Sequence, residues 1–141
     1  MIQRIQSVWL LLAVIAGAFT FKYPYCTGTW VKDGVQHPQI QLLAYNPSVF
    51  VLIVTVVTMV LAFLALILFK NRKQQMMVTI LALLASIGLI FVYYNEQSTH
   101  FIYTTLALSS IFTFMIPIFL FFAIRGIYRD MKLVKSVDRL R

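Results

Sequence analysis

The sequence predicts an all-α membrane protein: a four-transmembrane-helix antiparallel bundle with a short outer-side hairpin-like loop and a cytoplasmic amphipathic C-terminal helix. Of its 141 residues, 61% are hydrophobic and only 11% are charged, whereas soluble domains carry about 25% charged residues. The sequence also contains four long runs without a charged residue, and ten of its twelve Lys and Arg side chains fall on one side of a four-span topology. We expect a single membrane domain over residues 1–141, because the spans and their short connections use almost the whole chain.

The four uncharged runs have the length and pattern of membrane-spanning helices. A helix needs about 20 residues to cross roughly 30 Å of hydrocarbon. The apolarity of each run is continuous rather than alternating, which favours helices over the strands of a membrane barrel. We place the four spans at residues 5–21, 49–69, 76–94 and 101–124.

The first run shares features with a secretory signal peptide. Arg4 precedes it, and Ala16 and Ala18 are spaced like the small residues of a cleavage site. The apolar stretch is longer than the roughly 7–15 residues of a signal-peptide core. We therefore favour a helix that stays in the membrane.

The positions of the cations predict the orientation of the chain. Arg4, the cluster at residues 70–73 and the tail at residues 125–141 hold ten cations and two of the four acidic residues, so this side carries the whole net charge of +8. Loops rich in Lys and Arg stay in the cytoplasm. We therefore expect both termini in the cytoplasm and the loop at residues 22–48 on the outer side.

The outer loop has the pattern of a short hairpin. Residues 27–31 favour a strand, and Asp33 and Gly34 favour a tight turn because both residue types tolerate positive φ. Residues 35–41 supply the return strand, and Pro38 places that strand at a sheet edge. Because a single hairpin is marginal on its own, we expect it to rest on the helix ends or on a partner.

Side chains able to carry chemistry are scarce. None of the four predicted spans contains Asp, Glu, Lys, Arg or His, and proton-coupled transport needs an ionisable group at depth. Cys26 is the one cysteine, so it forms no internal disulfide and cannot supply the paired cysteines of a thiol oxidase. Cys26, His37 and His100 share the outer side without ligand spacing, so we predict neither a metal site nor a cofactor. An enzyme acting on a lipid or a quinone would depend on Glu96 and the two histidines, and we predict that the chain is not an enzyme.

The tail at residues 125–141 has the pattern of a basic amphipathic helix, which either extends the fourth span or lies on the anionic inner leaflet. It has no base-stacking aromatic residue beyond Tyr128, so lipid headgroups are better candidates for its anionic partner than nucleic acid. Asp130 has no cation three or four residues away, so we predict that it pairs with Arg4 or Arg72. The residues that we expect to contact a partner or lipid headgroups are Lys70, Arg72, Lys73, Arg125, Arg129, Asp130, Lys132, Lys135 and Arg139.

Three blocks of the sequence carry a resemblance to a known family. They are residues 1–7 (MIQRIQS), residues 69–75 (FKNRKQQ), and the tail segments 123–127 (AIRGI) and 130–141 (DMKLVKSVDRLR). Together they resemble a family of short four-helix membrane proteins of unknown function from Bacteroidetes-type bacteria. The resemblance implies an inner-membrane protein of a Gram-negative cell and brings no activity. Because all three blocks lie on the predicted cytoplasmic side, we hypothesise that this face meets a partner.

These observations favour an accessory or assembly subunit of a larger inner-membrane complex. The small size, the uncharged spans and the patterned cytoplasmic face all fit that function. A small oligomeric membrane transporter or channel is the alternative, which the uncharged spans disfavour. The expected partners are the lipid bilayer, another membrane protein or further copies of this chain, and anionic headgroups at the tail.

Overall fold

The computed structural model describes residues 3–32, 35–44 and 48–138. Several predictions of the sequence fall outside this part of the chain or concern side chains that are not described: the turn at Asp33 and Gly34, Arg139, and the side chains of Arg4, His37 and Lys135. The elements, in chain order, are α1 (Gln3–Lys22), β1 (Cys26–Lys32), β2 (Val35–Leu42), α2 (Val49–Ile67), a short 3-10 turn (Leu68–Lys70), α3 (Arg72–His100), β3 (Phe101–Leu106) and α4 (Ser110–Asp138).

Four segments of the described chain are helices long and apolar enough to cross a membrane. Mean hydropathy in these segments runs from 1.6 to 3.1, as expected of helices whose outward faces lie in hydrocarbon. The prediction of four membrane-spanning helices is confirmed in helix length and hydropathy. The segments are Ile5–Lys22, Val49–Lys70, Arg72–His100 and Leu108–Val134.

The structure corrects the predicted start of the fourth span. Residues 101–106 are uncharged and were assigned to that span, but they form β3, and α4 begins only at Ser110. The sequence of β3, FIYTTL, is rich in aromatic and β-branched residues, which suit a strand better than a helix. The fold is therefore mostly helical with a small sheet, rather than all-α. The residues predicted to connect the third and fourth spans, 95–100, instead extend α3 to His100.

The small sheet has three strands in the order β2-β1-β3, with both pairs antiparallel. Cys26 in β1 stands opposite Leu42 in β2 and Leu106 in β3. The prediction of a hairpin whose second strand lies at a sheet edge is confirmed by this order. β3 supplies the support that the hairpin was expected to need, and it comes from the chain itself.

Each helix packs against two others, α1 against α4 and α2, and α3 against α2 and α4. Small and hydroxyl side chains are buried along these helices, and such residues let helix backbones approach closely. The hydroxyls of Thr55, Thr58 and Thr79 donate to carbonyl oxygens of their own helix, four residues earlier. The buried members include Ala13, Thr55, Thr58, Ala62, Ala65, Thr79, Ala82, Ser86 and Thr113.

The sheet packs against the helices at the end of the molecule where α1 ends. Tyr25, just before β1, stacks on Tyr93 of α3 with ring centroids 4.5 Å apart. The Tyr25 carbonyl also accepts a backbone hydrogen bond from Ala107, and the Pro24 carbonyl accepts one from the Ser109 hydroxyl. These contacts fix the sheet against the ends of α3 and α4.

Candidate functional site

A buried carboxylate joins three helices at the end of the molecule opposite the sheet. Asp130 of α4 is only 4% exposed, and its Oδ2 accepts a hydrogen bond of 3.0 Å from the Gln6 side-chain amide of α1. Arg72 at the start of α3 places its Nη1 4.0 Å from Asp130 Oδ2 and 3.2 Å from the Asp130 carbonyl oxygen, to which it donates. We call Gln6, Arg72 and Asp130 the Asp130 clasp. The predicted pairing of Asp130 with Arg72 is present in the structure.

The clasp depends on a close approach of α1 and α4. Gly126 lies one turn before Asp130, and a Cβ at this position would stand 3.1 Å from Gln6 Cβ. A side chain there would push the two helices apart, so glycine sets the distance that lets Gln6 reach Asp130. Neither Gln6 nor Gly126 was singled out in the sequence. The sequence feature that points to Gln6 is its position, because it is an amide side chain one turn into a helix that is otherwise mostly apolar.

A second buried amide lies at the same end. Gln75 of α3 is 1% exposed and its Nε2 donates to the Ala65 carbonyl of α2 at 3.1 Å. With the clasp, this bond ties all four helices together near the level of the basic residues. We call this level the basic end and the opposite level, with the sheet, the sheet end.

The other predicted contact residues of the basic end divide into two groups. Lys70 and Lys73 are exposed at the turn between α2 and α3. Arg125, Arg129 and Lys132 are exposed along one face of α4 and line a groove of about 650 Å³ between α4 and α1. No salt bridge within the described chain involves any of these five cations.

The sheet end holds Glu96 and His100, on which an enzyme acting on a lipid or a quinone would depend. Glu96 accepts a hydrogen bond of 2.9 Å from the Ser48 hydroxyl and lies 3.8 Å from His100 one helical turn away. Cys26 is fully buried, and burial raises the pKa of its thiol to about 11, so little reactive thiolate is present at neutral pH. In the described ranges, no three side chains of His, Cys, Asp or Glu come together as a metal site would require.

The middle of the helices is closed. The space among the four helices, bordered by Gly17, Thr55, Leu89 and Ile116, leaves no room for a water molecule. Buried ionisable side chains such as Asp130 lie at the ends of the helices. The buried side chains of the described residues at mid-depth are apolar or carry hydroxyl groups. The arrangement can hold four helices in fixed positions, and its polar interactions serve that purpose.

The fold and the two ends therefore define a class: a small protein with four helices long and apolar enough to cross a membrane, tied at one end by a buried carboxylate and capped at the other by a small sheet. A family model matches residues 2–140, so the chain belongs to the family described as domain of unknown function (DUF4293). This match confirms the predicted relation to a family of unknown function. No curated protein and no solved structure matches the chain.

Proposed function

We propose that the chain is an accessory or assembly subunit that acts as a scaffold in a larger complex of the bacterial inner membrane, without enzymatic activity of its own. The observation that carries this proposal is the Asp130 clasp. Its carboxylate is the kind of group that a proton-coupled transporter places at mid-depth. Here it lies at the basic end, five residues after Arg125, the first cation of α4, and it bonds α1 and α3 to α4.

The proposal includes an antiparallel four-helix bundle with both termini in the cytoplasm. Contacts at the basic end join the start of α1, the start of α3 and the second half of α4, and contacts at the sheet end join their opposite ends. The exposed cations Lys70, Lys73 and Arg125 lie at the basic end, and the bias of cations towards cytoplasmic loops supports placing that end inside.

Purification in a mild detergent under native conditions, followed by mass analysis, tests the proposal. We expect a companion membrane protein in fixed stoichiometry. A Lys70→Glu/Lys73→Glu double variant is expected to lose the companion, because it reverses the charge of the exposed turn between α2 and α3. Thr99→Glu/Ser98→Glu, which changes exposed residues at the sheet end, is the control and is expected to keep it.

A clean homo-oligomer without a companion would contradict the accessory-subunit proposal. That outcome would move support to a small oligomeric transporter or channel, because the closed interior of one chain leaves only the interface between copies for a path. Size-exclusion profiles of the variants distinguish a lost companion from a lost fold.

A further inference from the structure

The groove between α1 and α4 at the basic end has an apolar wall and a cationic rim. Trp9 and Phe122 form the apolar wall, and their ring centroids lie 5.0 Å apart, so each aromatic ring holds the other in place. Arg125, Arg129 and Lys132 form the rim. These cations are spaced four and three residues apart on one helix, so they form a stripe about 10 Å long.

Within the described residues, no carboxylate neutralises the charge of the rim. Asp130 is the nearest acidic residue in the sequence, but its carboxylate is turned into the clasp with Gln6 and Arg72. In the part of the chain that the structure describes, no carboxylate pairs with Arg125, Arg129 or Lys132. Three exposed cations beside apolar rings are complementary to a ligand in which an anionic group is attached to an apolar chain.

A buried acceptor in the groove identifies a second feature of the ligand. Gln6 lines the groove and is 4% exposed. Its Nε2 donates to the Asp130 carboxylate, which fixes the orientation of the amide because a carboxylate only accepts. The other amide atom, Gln6 Oε1, is buried and has no hydrogen-bond partner among the described residues. Oε1 lies 3.8 Å from where a Cβ on Gly126, another lining residue of the groove, would stand, and a buried acceptor without a donor is costly.

We infer that this groove is a binding site for an anionic phospholipid whose headgroup carries hydroxyl groups, as that of phosphatidylglycerol does. The phosphate lies on the Arg125, Arg129 and Lys132 rim, a headgroup hydroxyl donates to Gln6 Oε1, and an acyl chain runs along Trp9 and Phe122. The inference requires only that the chain lies in a bilayer. It does not depend on a protein companion, so it stands or falls separately from the scaffold proposal.

Trp9 provides a reporter for the test, because the chain has two tryptophans and Trp30→Phe leaves Trp9 alone. The Trp30→Phe protein is reconstituted into phosphatidylcholine vesicles that contain a small fraction of phospholipid with brominated acyl chains, which quench nearby tryptophan. We expect brominated phosphatidylglycerol to quench Trp9 several-fold more effectively than brominated phosphatidylcholine. Phosphatidylmethanol, which has the same charge without a hydroxyl, is expected to fall between the two.

Two variants locate the site. Arg125→Gln/Arg129→Gln is expected to remove most of the preference for phosphatidylglycerol. Lys70→Gln/Lys73→Gln removes the same charge from the same end away from the groove, and we expect it to keep the preference. Equal quenching by the three lipids in the parent protein would overturn the inference, as would an equal loss of preference in both double variants. Equal quenching by phosphatidylglycerol and phosphatidylmethanol would overturn the role of Gln6 Oε1.

Discussion

Asp130 lies in a buried position where two polar groups from other helices face its carboxylate. The Gln6 amide donates at 3.0 Å, and the Arg72 guanidinium lies at 4.0 Å. Removing one member of such a group leaves the others without a partner, which costs more than the intact interactions contribute. Each residue of the clasp therefore matters for the relative placement of its helix.

A double-mutant cycle measures this coupling. We expect Gln6→Ala and Asp130→Ala each to lower stability in detergent by about 1–3 kcal/mol, and the double variant to lose less than the sum of the two. Thermal unfolding followed by circular dichroism gives the values. Tyr128→Ala, at an exposed position on the same helix, is the control and is expected to change stability by less than about 0.5 kcal/mol. Strict additivity of Gln6→Ala and Asp130→Ala would contradict the bond between them.

Two helical glycines give a matched pair of substitutions. A Cβ on Gly126 would stand 3.1 Å from Gln6 Cβ, whereas a Cβ on Gly88 would meet nothing within 4 Å. Alanine favours a helix over glycine by about 1 kcal/mol, so we expect Gly88→Ala to raise the melting temperature. Gly126→Val is expected to lower it, because the branched side chain separates α1 from α4. Equal effects at the two positions would contradict the close approach.

Cys26 is expected to be unreactive in the folded protein. Its thiol is buried, and burial raises its pKa from 9.0 to about 11. We expect maleimide labelling at neutral pH only after denaturation. Because the folded-state pKa is the higher one, the buried thiol contributes stability below about pH 9 that is lost as the pH rises towards 11. We therefore expect Cys26→Ala to lose less stability at alkaline pH than the parent protein does. Rapid labelling of the native protein would contradict the burial of the thiol.

Among the elements, β3 shows that charge and hydropathy alone do not distinguish a strand from a membrane-spanning helix. An uncharged stretch has the composition of a membrane span whether it forms a helix or a strand. Residues 101–106 were therefore included in the fourth predicted span, although they form a strand. The strand exists because its edge pairs with β1, and that pairing is a tertiary contact between residues far apart in sequence. The hairpin of β1 and β2 was predictable because its turn and strands are adjacent in sequence.

Cross-linking tests the position of β3. Thr27 and Thr105 stand opposite each other, and their hydroxyl oxygens are 3.0 Å apart. In a Cys26→Ala background, we expect Thr27→Cys/Thr105→Cys to form a disulfide under mild oxidation. The control Thr27→Cys/Lys73→Cys joins opposite ends of the molecule and is expected to stay reduced. Failure of the first pair to cross-link in folded protein would contradict the β1–β3 register.

The helix α4 settles one of the alternatives that the tail left open. The tail either continues the fourth span or lies on the membrane surface, and α4 runs without a break from Ser110 to Asp138. Pro117 lies within this helix, and membrane-spanning helices tolerate such a proline. The continuous helix carries Asp130 to the clasp and aligns Arg125, Arg129 and Lys132 on one face.

For the molecule as a whole, the four long apolar helices followed from charge-free length in the sequence. The pairing of Asp130 with a distant cation, Arg4 or Arg72, followed from the lack of a cation near it in the sequence. The clasp as a unit did not, because it needs Gln6, which is neutral, and Gly126, which acts by the absence of a side chain. The lipid groove likewise depends on how α1 lies against α4. These features belong to helix packing, which the pattern of a single helix does not specify.

The scaffold proposal depends on the basic end lying in the cytoplasm and the sheet end lying outside. The direct measurement uses single cysteines in the Cys26→Ala background, at the exposed positions Lys73 of the basic end and Thr99 of the sheet end. Spheroplasts are treated with a membrane-impermeant maleimide before and after lysis. We predict that Thr99→Cys is labelled in intact spheroplasts and Lys73→Cys only after lysis. Labelling of Lys73→Cys in intact spheroplasts, with Thr99→Cys protected, would contradict the orientation and the cytoplasmic scaffold face built on it.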